Sequence, residues 1–179
     1  MKRNYTLHQA ERHSKEMSAL MSIIGKVQQG VATEEERKIA EKLSIASQVL
    51  MSMLGKHKRI GIVGPHASGK SLLASMVSCR RVFHGDDHMD QWSSQPLVDE
   101  IVNSGEQSYV VEGCSVARAI RKAHEQGHKL VDALIIIDAS LKPQSEMKPG
   151  HIRQAAGITT VLKDCLNKGC LDGVTIIHV

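Results

Sequence analysis

Aromatic residues are nearly missing from this chain: one Trp, two Tyr and one Phe stand among 179 residues. A stacking platform for single-stranded nucleic acid needs several such rings, so there is next to nothing here to build one with. A strong charge of one sign is missing too. Lys and Arg number 23 against 19 Asp and Glu, a formal net charge of +4 with the ten histidines neutral. That excess admits anionic ligands, nucleic acid included, without demanding them. No apolar run approaches the roughly 18 residues of a membrane span, and the opening MKRNYTLHQAERHSKEM lacks the apolar core of a signal peptide. The four cysteines, Cys79, Cys114, Cys165 and Cys170, never fall in C-x-x-C spacing. Three of them lie in or near apolar runs, as buried reduced thiols do, which argues against a disulfide framework or a zinc site. The expectation is a cytoplasmic protein without membrane contact, one compact α/β domain with a small appendage.

Two regimes follow each other along the chain. Up to about Gly55 the apolar positions keep a helical period: Met17, Leu20, Met21, Ile24 and Val27 form one stripe, and Ile39, Leu43, Ala46, Leu50, Met53 and Leu54 form a second. Gly30 supplies a stop between them, Thr33 with Glu36 makes a T-x-x-E capping box, and Gly55 closes the second helix. Residues 1–56 thus read as a helical hairpin appendage, a packing element or a contact for a second copy of the chain. Residues 57–179 change rhythm. Short apolar runs at Arg59–Gly64, Arg81–Gly85, Tyr109–Gly113, Ala133–Asp138 and Val174–Val179 alternate with helical stretches at Ser71–Ser78, Gln95–Ser104, Ser115–Gln126 and about Gln154–Leu166. Near-continuous apolar strands alternating with helices predict a parallel sheet covered on both faces.

The loop after the first strand reads Gly64-Pro65-His66-Ala67-Ser68-Gly69-Lys70-Ser71, a full match to G-x-x-x-x-G-K-[ST], with Leu72 opening the apolar helix behind it. A strand before and a helix after are the context this motif needs. Backbone N–H groups of such a loop cradle a β-phosphate, Lys70 reaches the β/γ oxygens, and the Ser71 hydroxyl holds Mg²⁺. A nucleoside triphosphate, taken as ATP, and Mg²⁺ are the ligands expected there. The second strand runs out in Gly85-Asp86-Asp87-His88. A hydroxyl attacking a γ-phosphate needs a proton acceptor, and Asp86 is assigned that role, with Asp87 sharing it or binding Mg²⁺ through water. A polar strand end with an Asp cap, or a transition-metal set of His84, Asp86, Asp87 and His88, are the competing readings.

The third strand ends in Glu112, which can orient the waters of a magnesium ion or hold a substrate hydroxyl, and the next helix carries Arg118, which can meet a phosphate or a ribose. Asp138, closing ALIIID, competes with Glu112 as the acid at the end of an apolar strand. After it, ASLKPQSEMKPGHIRQAAG has two of the four prolines and the cations Lys142, Lys148 and Arg153. It reads as a loop long enough to serve as a lid that brings a cation to the transferring phosphate, Arg153 foremost, or as an ordinary surface loop.

As a set, the loop, HGDDHM, VVEG and the cationic segment resemble the small P-loop kinases: nucleoside and nucleotide kinases, and the gluconate and adenylylsulfate kinases. The resemblance covers about Lys58 to Val179. It implies a three-layer α/β/α P-loop NTPase fold with a five-stranded parallel sheet in the order 2-3-1-4-5, which places Glu112 rather than Asp138 next to the P-loop strand. It also implies that Asp86 lies near the acceptor hydroxyl, and that the acceptor packs against the helix after GDD with Trp92 as a stacking wall. As a lone aromatic, Trp92 equally suits a core or cap position. The cationic segment lacks the paired arginines of nucleoside monophosphate kinases, and the loop has His66-Ala67-Ser68 where the small P-loop kinases often have more glycine or small residues. Kinases acting on hydroxymethylated bases in phage DNA are similar. The expected activity is transfer of the γ-phosphate to a hydroxyl of a nucleoside-like or nucleic-acid-borne acceptor. The rival is a nucleotide-dependent switch or assembly protein whose helical pair binds a partner. Without sensor motifs or a membrane segment, the sequence does not suit a motor or transporter ATPase.

Overall fold

The structure, a computed structural model, describes residues 18–19, 21–91, 93–141 and 144–179. It divides into two units, Met1–Ile45 and Ala46–Val179, and the division falls inside a helix.

In the first unit, helix α1 (residues 21–28) ends in a turn through Gly30, whose φ of +74° suits a residue without Cβ. Helix α2 (Glu34–Leu54) follows. Its start is the expected capping box: Glu36 N donates to Thr33 Oγ1 at 3.2 Å and Thr33 N donates to Glu36 Oε2 at 2.9 Å. Lys26 Nζ adds an ion pair to Glu36 Oε1 at 2.6 Å, which holds that carboxyl below its ordinary range. Met17 and Leu20 of the first apolar stripe lie outside the described residues, while Met21 and Val27 are exposed.

The second unit contains the rest of α2 and then β1 (Arg59–Val63), α3 (Lys70–Ser75), β2 (Arg81–His84), α4 (Gln95–Ser104), β3 (Tyr109–Glu112), α5 (Val116–Glu125), β4 (Ala133–Ile136), α6 (Pro149–Asn167) and β5 (Thr175–His178). All strand pairs are parallel and the order is β2-β3-β1-β4-β5, as expected. Each strand leaves the ladder one or two residues before its apolar run ends, so Gly64, Gly85, Gly113 and Asp138 lie beyond the sheet. Helix α6 starts at Pro149, earlier than its apolar period suggests, because a proline fits the first helical turn, where no N–H partner is needed.

Alternation along the strands feeds two cores. Val63, Phe83, Val111, Leu134 and Ile136 pack with Leu97 and Ile101 of α4, Ile120 of α5, and Ile158 and Leu162 of α6. On the opposite face Ile60, Ile62, Val110 and Ile135 pack with Leu73 of α3 and with Ala46, Leu50 and Met53 of α2. Each large side chain buried this way contributes about 1.5–3 kcal/mol. The end of α2 is pinned by Arg80, whose guanidinium donates to the carbonyls of Leu54, His57 and Lys58. At the amino ends of the strands Arg59 Nη2 meets Asp132 Oδ1 at 2.6 Å. Among the described residues no helix is long and apolar enough to cross a membrane.

Candidate functional site

Five parallel strands all deliver their carboxyl ends to one edge, and the chemistry-bearing residues gather there. The chain leaves β1 at Gly64 so tightly that a Cβ would lie 2.7 Å from Ile137 O and 2.9 Å from Ser68 Oγ. Positive φ angles at Ala67 (55°) and Gly69 (85°) then curl the backbone back toward α3. A non-glycine residue in that region is uncommon and costs energy, and it keeps the loop concave. Lys70 is 7% exposed, its Nζ donating to Pro65 O at 2.6 Å and Ser68 Oγ at 3.3 Å, so the ammonium is held by the loop itself. Leu72 is buried. The segment after β4 is tied to this loop by Leu141 N, which donates to Ala67 O at 2.9 Å. The His66 ring stacks on His151 of α6 with centroids 3.9 Å apart.

Opposite the loop stands a buried acid. Glu112, the last residue of β3, is 1% exposed, and Ser71 Oγ donates to its Oε2 at 3.2 Å. His84 Nδ1, in register with Glu112 across the β2–β3 pair, lies 2.8 Å from Oε1. The hydrogen bond to Glu112 raises the His84 pKa against the opposing effect of burial, with the charges of Glu112, Asp87 and Asp86 adding to it. A carboxylate out of water is costly unless its oxygens are satisfied, and both are. Beyond the ladder Gly85 and Gly113 let the two chains close up: a Cβ on Gly113 would lie 3.1 Å from Gly85 Cα. Asp86, next to this contact, is half-buried with Oδ1 shielded from solvent, whereas Asp87 is exposed.

Burial pushes the Cys114 thiol pKa up; Lys70 pulls it down, and Asp86 and Glu112 raise it further. Cys114 also forms one wall of a pocket of about 170 Å³ between α5 and α6, which Arg118 and Arg153 both line. Sequence reading placed those two arginines in separate roles, and only the fold puts them together.

Other candidates separate. Both β3 and β4 flank β1, so the strand order by itself does not choose between Glu112 and Asp138, contrary to what the resemblance implied. Side-chain direction does: Asp138 is exposed and faces His178, 2.9 Å from its Nδ1. The suggested transition-metal quartet is split, since His84 faces Glu112 while His88 Nε2 lies 2.8 Å from Glu100 Oε2. Among the described residues no three His, Cys, Asp or Glu side chains are grouped to hold a metal ion. Lys148 is the exposed cap of α6; Trp92 and Lys142 lie outside the described residues. Sequence reasoning missed Cys114, His84 as the partner of Glu112, and His151 as the partner of His66. A polar residue next to an assigned acid was the only signal available for His84.

No protein-family model, curated protein or solved structure matches this chain. The reading of its function rests on the residues and their arrangement.

Proposed function

We propose that this protein is an ATP- and Mg²⁺-dependent kinase that transfers the γ-phosphate to a hydroxyl of a nucleoside-like or nucleic-acid-borne acceptor, such as a hydroxymethylated base in phage DNA. The observation that carries this reading is the Ser71–Glu112 hydrogen bond, which joins the Gly64–Ser71 loop to a buried acid on the neighbouring strand, with Asp86 two residues past His84, the β2 residue in register with that acid. The cradle fits a polyphosphate. Gly64 has no room for a Cβ, the backbone curls at Ala67 and Gly69, and Lys70 holds its charge over the loop interior. Bound by Ser71 Oγ and, through water, by Glu112, Mg²⁺ would neutralise charge on the β/γ oxygens. Lys70 would exchange Pro65 O for a γ-oxygen. As the acceptor oxygen bonds to the γ-phosphorus, the bond from that phosphorus to the β,γ-bridging oxygen breaks and ADP departs. The hydroxyl proton passes to a carboxylate oxygen of Asp86. His66 stacked on His151 and the bond from Leu141 N to Ala67 O support a lid formed after β4.

Labelled ATP with a panel of nucleosides, sugars and DNA, including hydroxymethylated bases, tests the reading. The expected result is a labelled acceptor, lost by about 10²–10³-fold in Lys70→Ala and by about 10²–10⁴-fold in Asp86→Asn. Tight Mg·ATP binding without a labelled product from any acceptor overturns it. A second reading, a nucleotide-dependent switch, is favoured by the exposed Met21, Val27 and Val31 of the first unit, an apolar surface for a partner or a second copy. It predicts an oligomeric state or partner complex that changes between ATP and ADP in size-exclusion chromatography.

A further inference from the structure

The arginines of the second unit fall into two groups. Arg59 is spent on Asp132, Arg80 on three carbonyls, Arg81 on Glu100, and Arg121 on Asp164. Arg118 and Arg153 have no ion pair or hydrogen bond among the described residues, and these two share a pocket. They come from different helices, so their proximity follows from the α5–α6 packing rather than from local sequence. With no acid among the residues lining the pocket, an incoming anion meets two positive groups there.

The pocket's shape narrows the ligand. Its volume of about 170 Å³ is below the several hundred of a site that swallows a whole small molecule, so it suits one group of a larger ligand. Ala117, Ile158 and Val161 give it an apolar floor, leaving the arginines as its charged groups. Cys114, which lines this pocket, follows Glu112 by two residues at the end of β3, so the pocket adjoins the place where a phosphoryl group would move. With almost no aromatic rings to grip a base, charge is the main means this chain has of holding an acceptor.

We infer that the pocket between α5 and α6 binds a phosphate group of the acceptor through Arg118 and Arg153, so that the acceptor is a nucleotide unit rather than a free nucleoside. This rests on the kinase reading for the word acceptor, and on the pocket alone for the anion. The phosphate is either the monoester of a free nucleotide or a diester of a nucleic acid. Two forked guanidiniums suit its several oxygens better than they suit a single carboxylate.

Calorimetry on the full chain saturated with Mg·ADP tests this, using thymidine 5′-phosphate, a single-stranded oligothymidylate and thymidine as probes. The expected result is that at least one phosphate-bearing probe binds tenfold or more weakly to Arg118→Gln and to Arg153→Gln than to the wild type. Thymidine should change by less than twofold. Binding of the monophosphate alone assigns the site to free nucleotides, and binding of the oligomer assigns it to a nucleic-acid backbone. Equal binding of the phosphate probes to wild type and both variants overturns the inference, as does a wild type that shows no phosphate-dependent binding. So does gluconate binding with the same arginine dependence while no phosphate ester binds. Both arginines are exposed, so the variants are expected to keep the wild-type melting temperature. The two readings fail separately: arginine-dependent phosphate binding without Mg·ADP binding sinks only the kinase, and Mg·ADP binding with indifferent arginine variants sinks only the pocket.

Discussion

Gly85 and Gly113 set how closely the ends of β2 and β3 approach, and through them where Asp86 stands. A Cβ on Gly85 would meet Ser115 Oγ at 2.4 Å and Glu112 O at 3.1 Å, the first a side-chain atom and the second backbone. Gly85→Ala should therefore destabilise the protein by about 1–3 kcal/mol in urea denaturation, an overpacking cost. The Ser115 hydroxyl is buried and has no hydrogen-bond partner among the described residues, so Ser115→Ala should be neutral or stabilising. Combined, Gly85→Ala with Ser115→Ala should recover part of the loss, because the hydroxyl contact goes and the Glu112 carbonyl stays. A double variant no more stable than Gly85→Ala alone would show that the crowding lies elsewhere. This contact links residues 30 positions apart and carries no local signature; in the sequence, Gly85 and Gly113 look like ordinary strand ends.

At the scale of elements, α2 makes a sharp comparison between neighbours. Leu50 is 1% exposed and packs in the core that contains Ile60, Ile62 and Val110, whereas Met51 is 61% exposed. Leu50→Ala should cost about 2–5 kcal/mol, and Met51→Ala should stay within about 0.5 kcal/mol, both measured by urea denaturation of the full chain. Equal effects would mean that the end of α2 is not part of the sheet's core. The helical period of Ile39, Leu43, Ala46, Leu50 and Met53 was legible because burial on one face repeats every three to four residues. What those residues pack against was not, since a stripe encodes that a face is covered and not by what. The strands were equally legible as apolar runs, and their pairing order came through resemblance. Between Glu112 and Asp138, two acids ending similar runs, the difference lay in position on the ladder: Glu112 still belongs to β3, whereas Asp138 lies two residues beyond the end of β4. The pocket of Arg118 and Arg153 depends on how α5 meets α6, a packing that neither helix announces in its own sequence.

Across the whole sheet, the two edges divide the work. The carboxyl ends hold Lys70, Ser71, Glu112 and Asp86, and the amino ends are tied by Arg59, which starts β1, and Asp132, which precedes β4. Arg59 N also donates to Asp132 Oδ2 at 3.1 Å, so one carboxylate holds both the backbone and the side chain of the central strand. Burial raises the Asp132 pKa, but the hydrogen bonds and charge of Arg59 outweigh it and leave the carboxyl below its ordinary value. A carboxyl more acidic in the folded state than in the unfolded chain stabilises the fold at any pH above the unfolded value of about 3.9, and that contribution fades as the pH falls through the folded value. The melting temperature of Asp132→Asn should therefore lie below that of the wild type at neutral pH, and the gap should close as the pH is taken below about 4. A gap that persists unchanged into acid would mean that the lost contact is steric rather than ionic. Because the clamp sits at the far edge from the loop, Asp132→Asn should leave unchanged the Mg·ATP affinity that the proposed function requires. On the proposed function, Ser71→Ala should instead weaken Mg·ATP binding, and because it strips Oε2 of the buried Glu112 of its donor it should also lower the melting temperature.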